Sequence, residues 1–288
     1  DVYKRQIQLF DRIEFNEQFR FVDVMYDVAF VVMDLEAKEK PDFANVFLNT
    51  YLEQTGDWEG LLILPLYLSR QAYVRAKVTS FLLDDTHISP EAKQEASKTA
   101  ANYYHQAWKY TQPRPGKLIL MSGLSGSGKT TVAKAIASQT NAIHIRSDAV
   151  RKHLAGIPLD QTGGTEIYTA EMSQKTYDRL LQLGITLGLA GFTVILDAKY
   201  DRLALRQSVI ISAQGDRIPL QIINCTAPID ILRDRLENRS GDISDATANL
   251  LSTQQATVEA FTEEELSLVT KVDTSQADWR EKLLNESR

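Results

Sequence analysis

The segment Gly123-Leu124-Ser125-Gly126-Ser127-Gly128-Lys129-Thr130 combines glycines, a lysine and a hydroxyl residue at a spacing suited to holding phosphates. Its glycines let successive backbone N–H groups turn inward on an anion with no Cβ in the way. Gly123, Gly128, Lys129 and Thr130 fall where the Walker A pattern requires them. The flanks agree: an apolar run, Leu118–Met121, precedes the segment and an Ala-rich helical run, Thr131–Ala137, follows it. A helix start at this point adds partial positive charge. Lys129 would then bridge the β- and γ-phosphates, and the Thr130 hydroxyl would ligate magnesium. The expected nucleotide-binding set is Gly123, Leu124, Ser125, Gly126, Ser127, Gly128, Lys129, Thr130 and Thr131, with ATP and Mg2+ as the bound groups. The bland alternative is a glycine-rich turn that happens to precede a helix.

Two acids end apolar runs, where open α/β sheets bind their ligands. Asp148 closes Ala142–Asp148, and Arg151 follows three residues later on the same side of a first helical turn. A carboxylate there can take the proton of a hydroxyl that attacks the γ-phosphate, and Arg151 can hold an acidic or hydroxyl-bearing substrate. The competing role for Ser147 or Asp148 is a plain helix N-cap. Asp197 closes Thr193-Val194-Ile195-Leu196-Asp197, the Walker B form that holds magnesium directly or through water. Lys199, Arg202 and Arg206 follow it and read individually as solvated surface. Arg235 and Arg239 lie four apart on a helical pattern, Pro228–Arg239, before the polar segment Ser240–Asp245. A mobile loop flanked by arginines suits closure over ATP and stabilisation of the transferring phosphoryl group. The four histidines have no ligand-like spacing, and His144 reads as a packed strand residue.

The elements that must position these groups fall into two kinds. Up to about Leu83 the chain is helical in pattern, with stretches at Phe19–Leu35, Phe43–Leu52 and Leu66–Leu83. Asp84–Pro90 reads as a loop, and Pro90 suits the start of a helix over Glu91–Tyr110. Gln112-Pro113-Arg114-Pro115-Gly116 stiffens the chain and marks a boundary. Beyond it, apolar runs at Leu118–Met121, Ala142–Ile145, Thr193–Leu196, Leu220–Cys225 and Leu266–Val272 alternate with helical patterns. Those patterns are Lys129–Ser138, Ala149–Leu154, Thr165–Ala190, Arg202–Ala213, Pro228–Glu237 and Ala277–Asn285. In the longest of them, Tyr177, Leu180, Leu181, Ile185 and Leu189 share one face, and Gly191 ends it. Strand–helix alternation predicts an α/β fold with a parallel sheet covered on both faces.

Composition sets the outer limits. With 32 basic against 38 acidic residues, the chain has no global attraction for phosphodiester backbones, which counts against a nucleic-acid partner. The single cysteine, Cys225, excludes an intrachain disulfide and a Cys-based zinc site, and it reads as a small buried hydrophobe. The longest apolar stretch, Leu61–Leu68, is interrupted by Pro65 and is far below the ~20 residues that span a bilayer. No membrane association and a cytoplasmic location are the expectation. The opening Asp1, where Met is usual, suggests an incomplete N-terminus with a few non-native residues.

From Leu118 to about Phe261 the chain resembles the P-loop kinases of the gluconate kinase, zeta-toxin and polynucleotide-kinase type. The matching pieces are GLSGSGKT, IRSDAVRKHL, GFTVILDAKYDR and APIDILRDRLENR with its following SDA. The resemblance implies a P-loop NTPase fold with a five-stranded parallel sheet and flanking helices. It also implies Asp148 as base or substrate-hydroxyl contact, Arg151 as its companion, and ATP contacts from Arg235 and Arg239. The N-terminal segments Leu9–Asn16 and Asp23–Phe30 are similar to the C-terminal lobe of aminoglycoside phosphotransferase-like proteins, in which Asp11 would bind metal. The His-Gly-Asp catalytic loop and the ATP-binding N-lobe of that family do not precede them here, so this partial kinase-like lobe is expected to be inactive. The implied organisation is a partial lobe over residues 1–85, a helical linker and Pro-rich boundary over 86–116, and a P-loop kinase-like domain over 117–288.

The combined reading is phosphoryl transfer from Mg·ATP to a hydroxyl of a small metabolite, with Lys129, Asp148 and Arg151 as catalytic residues and Thr130 and Asp197 at the metal. Two variants share that chemistry, a polynucleotide 5′-hydroxyl kinase and a kinase-type toxin acting on a sugar nucleotide. A different class is a nucleotide-gated regulatory module that binds or slowly hydrolyses ATP.

Overall fold

The computed structural model describes residues 2–3, 6–7, 21–239 and 241–286. Asp11 and the surrounding Leu9–Asn16 segment lie outside the described residues. Val2–Tyr3 and Gln6–Ile7 form a short antiparallel ladder. Four helices follow among the described residues: α1 (Val24–Ala37), α2 (Pro41–Thr55), α3 (Leu64–Ser80) and α4 (Pro90–Tyr110). Their ends are set by local chemistry. The Asp23 carboxylate accepts from Met25 N at 2.9 Å to open α1. Ser89 Oγ accepts from Ala92 N at 3.2 Å, with Pro90 at the first helical position of α4. Gly56, with φ 73°, closes α2 in the left-handed conformation. The helices pack chiefly as α3 on α4 and α1 on both α2 and α3.

After residues 112–116 the chain alternates strand and helix. The elements are β1 (Lys117–Ser122), α5 (Lys129–Thr140), β2 (Ile143–Arg146), α6 (Ser147–Ala155), α7 (Ala170–Leu189), β3 (Thr193–Asp197), α8 (Leu203–Gly215) and β4 (Leu220–Thr226). They are followed by α9 (Ile229–Glu237), α10 (Leu251–Thr257), α11 (Glu263–Leu266), β5 (Val269–Asp273) and α12 (Trp279–Glu286). The five strands make one parallel sheet in the order β2-β3-β1-β4-β5. The strand ending at Asp197 thus lies beside the strand that leads into the glycine loop, with Met121 opposite Asp197. The fold is the α/β, P-loop type with a five-stranded parallel sheet and flanking helices.

Both sheet faces are buried, and the period of two shows it. Leu118, Leu120, Val194 and Leu196 join one core with α7 and α8 residues such as Leu180, Leu183 and Val209. Ile119, Met121 and Ile195 point the other way, against Val132, Ile136 and Ala137 of α5. Buried Leu48 and Leu52 of α2 belong to the first core, so the helical block and the sheet share apolar contacts. Cys225 is buried in the second core, and burial pushes its thiol up to about 12, in keeping with an inert hydrophobe.

The helical block also reaches the sheet through polar groups. As the outermost strand, β2 has one side of its backbone without a strand partner. Two asparagines of α2 supply the missing bonds. Asn45 Nδ2 and Asn49 Nδ2 each donate to Ala142 O at 3.0 Å, and Asn49 Oδ1 accepts from His144 N at 2.7 Å.

Several sequence expectations need correction. The pattern Thr165–Ala190 divides into a 3₁₀ turn, Thr165–Tyr168, and α7, because Thr169 caps the longer helix by accepting from Met172 N. Leu189 is exposed, and the buried stripe of α7 is Thr176, Leu180, Leu183, Gly184, Leu187 and Gly188. An apolar count overlooks the two glycines there. A Cβ on Gly184 would sit 3.0 Å from Leu196 Cδ1, and one on Gly188 would sit 3.1 Å from Ile218 Cδ1. Leu266 ends α11, held by a reciprocal Thr262–Glu265 cap, so β5 starts only at Val269. Gly191 ends α7 at φ 90°, in line with its expected freedom.

Candidate active site

The glycine loop joins the C-terminal end of β1 to the N-terminus of α5. Gly123, Gly126 and Gly128 have φ of 138°, 79° and 83°, a region that side chains disfavour. Space is also short at Gly126, where a Cβ would lie 2.7 Å from Leu232 O. Side chains far along the chain brace the loop from behind. Thr274 Oγ1 donates to Ser127 O at 2.9 Å, and Gln254 accepts from Ser125 N at 3.0 Å while its amide donates to Ser125 Oγ at 3.1 Å. Arg235 completes the brace, donating to Thr274 Oγ1 at 2.8 Å, Thr274 O at 2.9 Å and Gly126 O at 3.3 Å. Thr131 lies exposed in the first turn of α5.

Lys129 turns back on the loop, its Nζ donating to Gly123 O at 2.9 Å and Leu124 O at 2.8 Å. Burial lowers its pKa, while the Asp197 charge acts the other way. Thr130 Oγ1 donates to Asp197 Oδ2 at 2.7 Å, which brings together the two proposed metal-holding oxygens from the two motifs. His144 Nε2 lies 2.9 Å from the same carboxylate oxygen and is buried with it. Burial works against ionisation of Asp197, but the His144 hydrogen bond and charge, with Lys129 and Arg146, hold its carboxyl at about 2. These groups fit magnesium. They provide hard oxygen donors, one ionised across the physiological range, beside a glycine loop where the buried Ser127 Oγ has no hydrogen-bond partner among the described residues.

Asp148 sits in the first turn of α6, just beyond the end of β2. Arg146 is the residue at the N-cap position and makes no side-chain cap, so neither Ser147 nor Asp148 serves as one. Burial pushes the Asp148 carboxyl above the ordinary carboxylate range, with Arg146 and Arg151 opposing and Asp197 and Asp242 adding to the rise. Arg151 is buried. It donates to Ile167 O at 2.9 Å and Ser173 Oγ at 3.3 Å, and lies over the Tyr168 ring at 5.1 Å. It therefore ties α6 to the turn before α7.

Two arginines depart from expectation. Helix α9 stops at Glu237, so Arg239 lies beyond it rather than on one helical face with Arg235. Its guanidinium donates to Ser244 O at 2.9 Å and to Ala246 O, folding the following segment back. Arg206 is not solvated surface. It is almost fully buried, with Nε 2.7 Å and Nη2 3.0 Å from the Glu265 carboxylate. Lys199 pairs with Asp201 at 3.2 Å.

His144, Thr274, Gln254 and Arg146 escaped sequence reasoning as site components. Each acts through a partner far away in sequence, so only the alternation of strand residues at 143–146 hinted that His144 and Arg146 sit in a sheet.

Residues 118–261, half of the chain, match the model of a family described as an AAA domain. The chain belongs to that AAA domain family. An uncharacterized protein of Mycobacterium tuberculosis (strain H37Rv) is 29% identical over 246 residues, covering 84% of this chain and 48% of that protein. An uncharacterized protein of Mycobacterium bovis matches to the same extent. This AAA-domain chain thus spans about half the length of the curated relatives it matches. Among solved structures it is similar to a sugar kinase from Janibacter sp., at TM-score 0.44 and 23% identity, over 60% of this chain and 92% of that one. It is also similar to a gluconokinase from Sinorhizobium meliloti, at TM-score 0.41 and 23% identity, over 62% of this chain and all of the other.

Proposed function

We propose that the chain is an ATP-dependent phosphotransferase that moves the γ-phosphoryl group of Mg·ATP to a hydroxyl of a small metabolite. The observation that carries the reading is the meeting, at one end of the sheet, of Lys129 and Thr130 with Asp197, 2.7 Å from Thr130 Oγ1, and with Asp148 just past the neighbouring strand. The glycine-loop amides and Lys129 would hold the triphosphate, and Thr130 and Asp197 would hold magnesium. When bound, magnesium would supply positive charge to offset that of the triphosphate. Asp148 would receive the proton of the acceptor hydroxyl as its oxygen bonds to the γ-phosphorus and the bond to the β–γ bridging oxygen breaks, releasing ADP. Arg235 supports the loop from behind, and Arg239 shapes the segment beyond it.

We read residues 117–288 as the kinase unit, 86–116 as the linker, and the helical block before it as an aminoglycoside phosphotransferase-like C-lobe. Its helical build, with α1, α2 and α3 among the described residues, supports that reading. Among the described residues no helix is long and apolar enough to cross a membrane. The reading places the protein in the cytoplasm, where ATP is supplied.

The test is ATP turnover by the purified chain beside Lys129→Ala, with and without pooled sugars, nucleosides and short oligonucleotides. Acceptor-stimulated turnover is expected, falling by about 10²–10³ when the phosphate-facing charge is removed. Turnover indifferent to every acceptor would replace this reading with that of a nucleotide-gated module.

A further inference from the structure

The phosphotransferase reading leaves one buried cation at the site without a task. Arg146 ends β2 in register with Asp197, two residues before Asp148, and is 5% exposed. Its Nη1 donates to Glu53 Oε1 of α2 at 3.3 Å, and its Nη2 donates to Asp242 Oδ1 at 2.6 Å. Its Nε is buried and has no partner among the described residues. A guanidinium offers a planar fork suited to two oxygens of one oxyanion. Here it receives one oxygen from each of two separate carboxylates and keeps a donor unused.

The two carboxylates differ in how they are held. Glu53 is part of a packed helix. Asp242 lies in the irregular segment 241–247, after α9. That segment is fastened elsewhere: Asp245 Oδ2 accepts from Tyr168 OH at 2.6 Å and Gly163 N at 3.0 Å, and Arg239 donates to Ser244 O. Asp242 Oδ1 also accepts from Ser244 N at 2.8 Å, so a turn of the Asp242 side chain that gives up this local bond and the Arg146 bond would free Arg146 while the segment stays anchored. In place, Asp242 is a third acid in the charge environment of Asp148, along with Asp197.

We propose that Arg146 binds an oxyanion of the phosphoryl acceptor, a carboxylate or a phosphate, and that the Asp242 carboxylate stands in that place until the acceptor arrives. The proposal rests on the phosphotransferase reading for the presence of an acceptor. The exchange swaps one anion for another, so Arg146 is never left buried and unpaired, which would be strongly unfavourable. It narrows the acceptor to a small hydroxy acid or a hydroxyl-bearing phosphate ester.

The test uses the full chain saturated with Mg·AMPPNP, so that the glycine loop is occupied and added anions report on a second place. Inorganic phosphate and, separately, acetate are titrated by isothermal titration calorimetry in every variant, and the Arg146 Nε–H signal is followed by NMR in those that keep the arginine. Asp242→Asn is expected to bind one of the two at least about tenfold more tightly than the parent chain, the scale of one charge-assisted hydrogen bond. Arg146→Gln is expected to abolish that binding, and Arg146→Lys to weaken it. The anion that gains more from Asp242→Asn identifies the oxyanion. Unchanged anion affinity in Asp242→Asn, or unaltered binding in Arg146→Gln, would overturn the proposal. AMPPNP affinity is measured on the same samples. Its absence strikes the nucleotide reading, while the Arg146 signal still reports anion binding directly.

Discussion

The sheet region and the helical block contribute to the site by opposite means. In the sheet region the chemistry is local: glycine conformation, a helix start and strand-end acids put Lys129, Thr130, Asp148 and Asp197 at one edge of the fold. The helical block contributes no candidate catalytic group, yet it supports the strand that leads to Asp148. Asn45 and Asn49 bond to β2, Glu53 pairs with Arg146, and the backbone oxygen of Glu53 lies 2.8 Å from His153 Nε2 of α6. The lesson is that a site can take its chemistry from one region and its rigidity from another. Changes in the first should remove activity while sparing the fold, and changes in the second should do the reverse.

The strongest break in that comparison is Asp148→Asn. Acceptor-dependent transfer should fall by about 10²–10⁴ with nucleotide affinity and melting temperature retained, as steady-state kinetics and thermal unfolding would report. In the proposed role of base Asp148 acts ionised, and its folded pKa is raised. Activity should therefore be lost as pH falls through that raised value, and the acid limb should sit above the range of a free carboxylate. Asp197, held at about 2, should add no limb above pH 4.

Asn49→Leu tests the other side. It leaves His144 N without its partner and removes one of two donors to Ala142 O, so urea unfolding should show a loss of ~1–3 kcal/mol. Unchanged stability would mean that α2 only rests on the sheet. The smallest effect belongs to Leu189→Lys. Because Leu189 is exposed at the end of α7, stability should stay within ~0.5 kcal/mol by the same measurement.

Those contrasts also explain what was legible in the sequence. The glycine loop, the runs that became β1, β3 and β4, and the proline-marked start of α4 declare themselves within a few residues, because backbone freedom and side-chain alternation act locally. Long-range pairing does not. Arg206 looks like surface until Glu265, 59 positions on, is found beside it. His144 looks like packing until Asp197 meets its ring. Helix α9 stops short of the helical spacing that continues past Glu237, and the expected face of α7 packs on the core at Tyr177, Leu180, Leu181 and Ile185 but not at exposed Leu189, while Gly184 and Gly188 carry no apolar side chain to count.

The asparagine contacts on β2 have a consequence for solubility. A sheet border with free N–H and C=O groups is a template on which another molecule can add a strand. On β2 that template is already taken, since the amides of Asn45 and Asn49 occupy Ala142 O and His144 N. The opposite border, β5, is five residues long and carries an exposed Lys271, both features that discourage pairing. Stacking of copies through the sheet is thus opposed at one border by packing and at the other by shortness and charge.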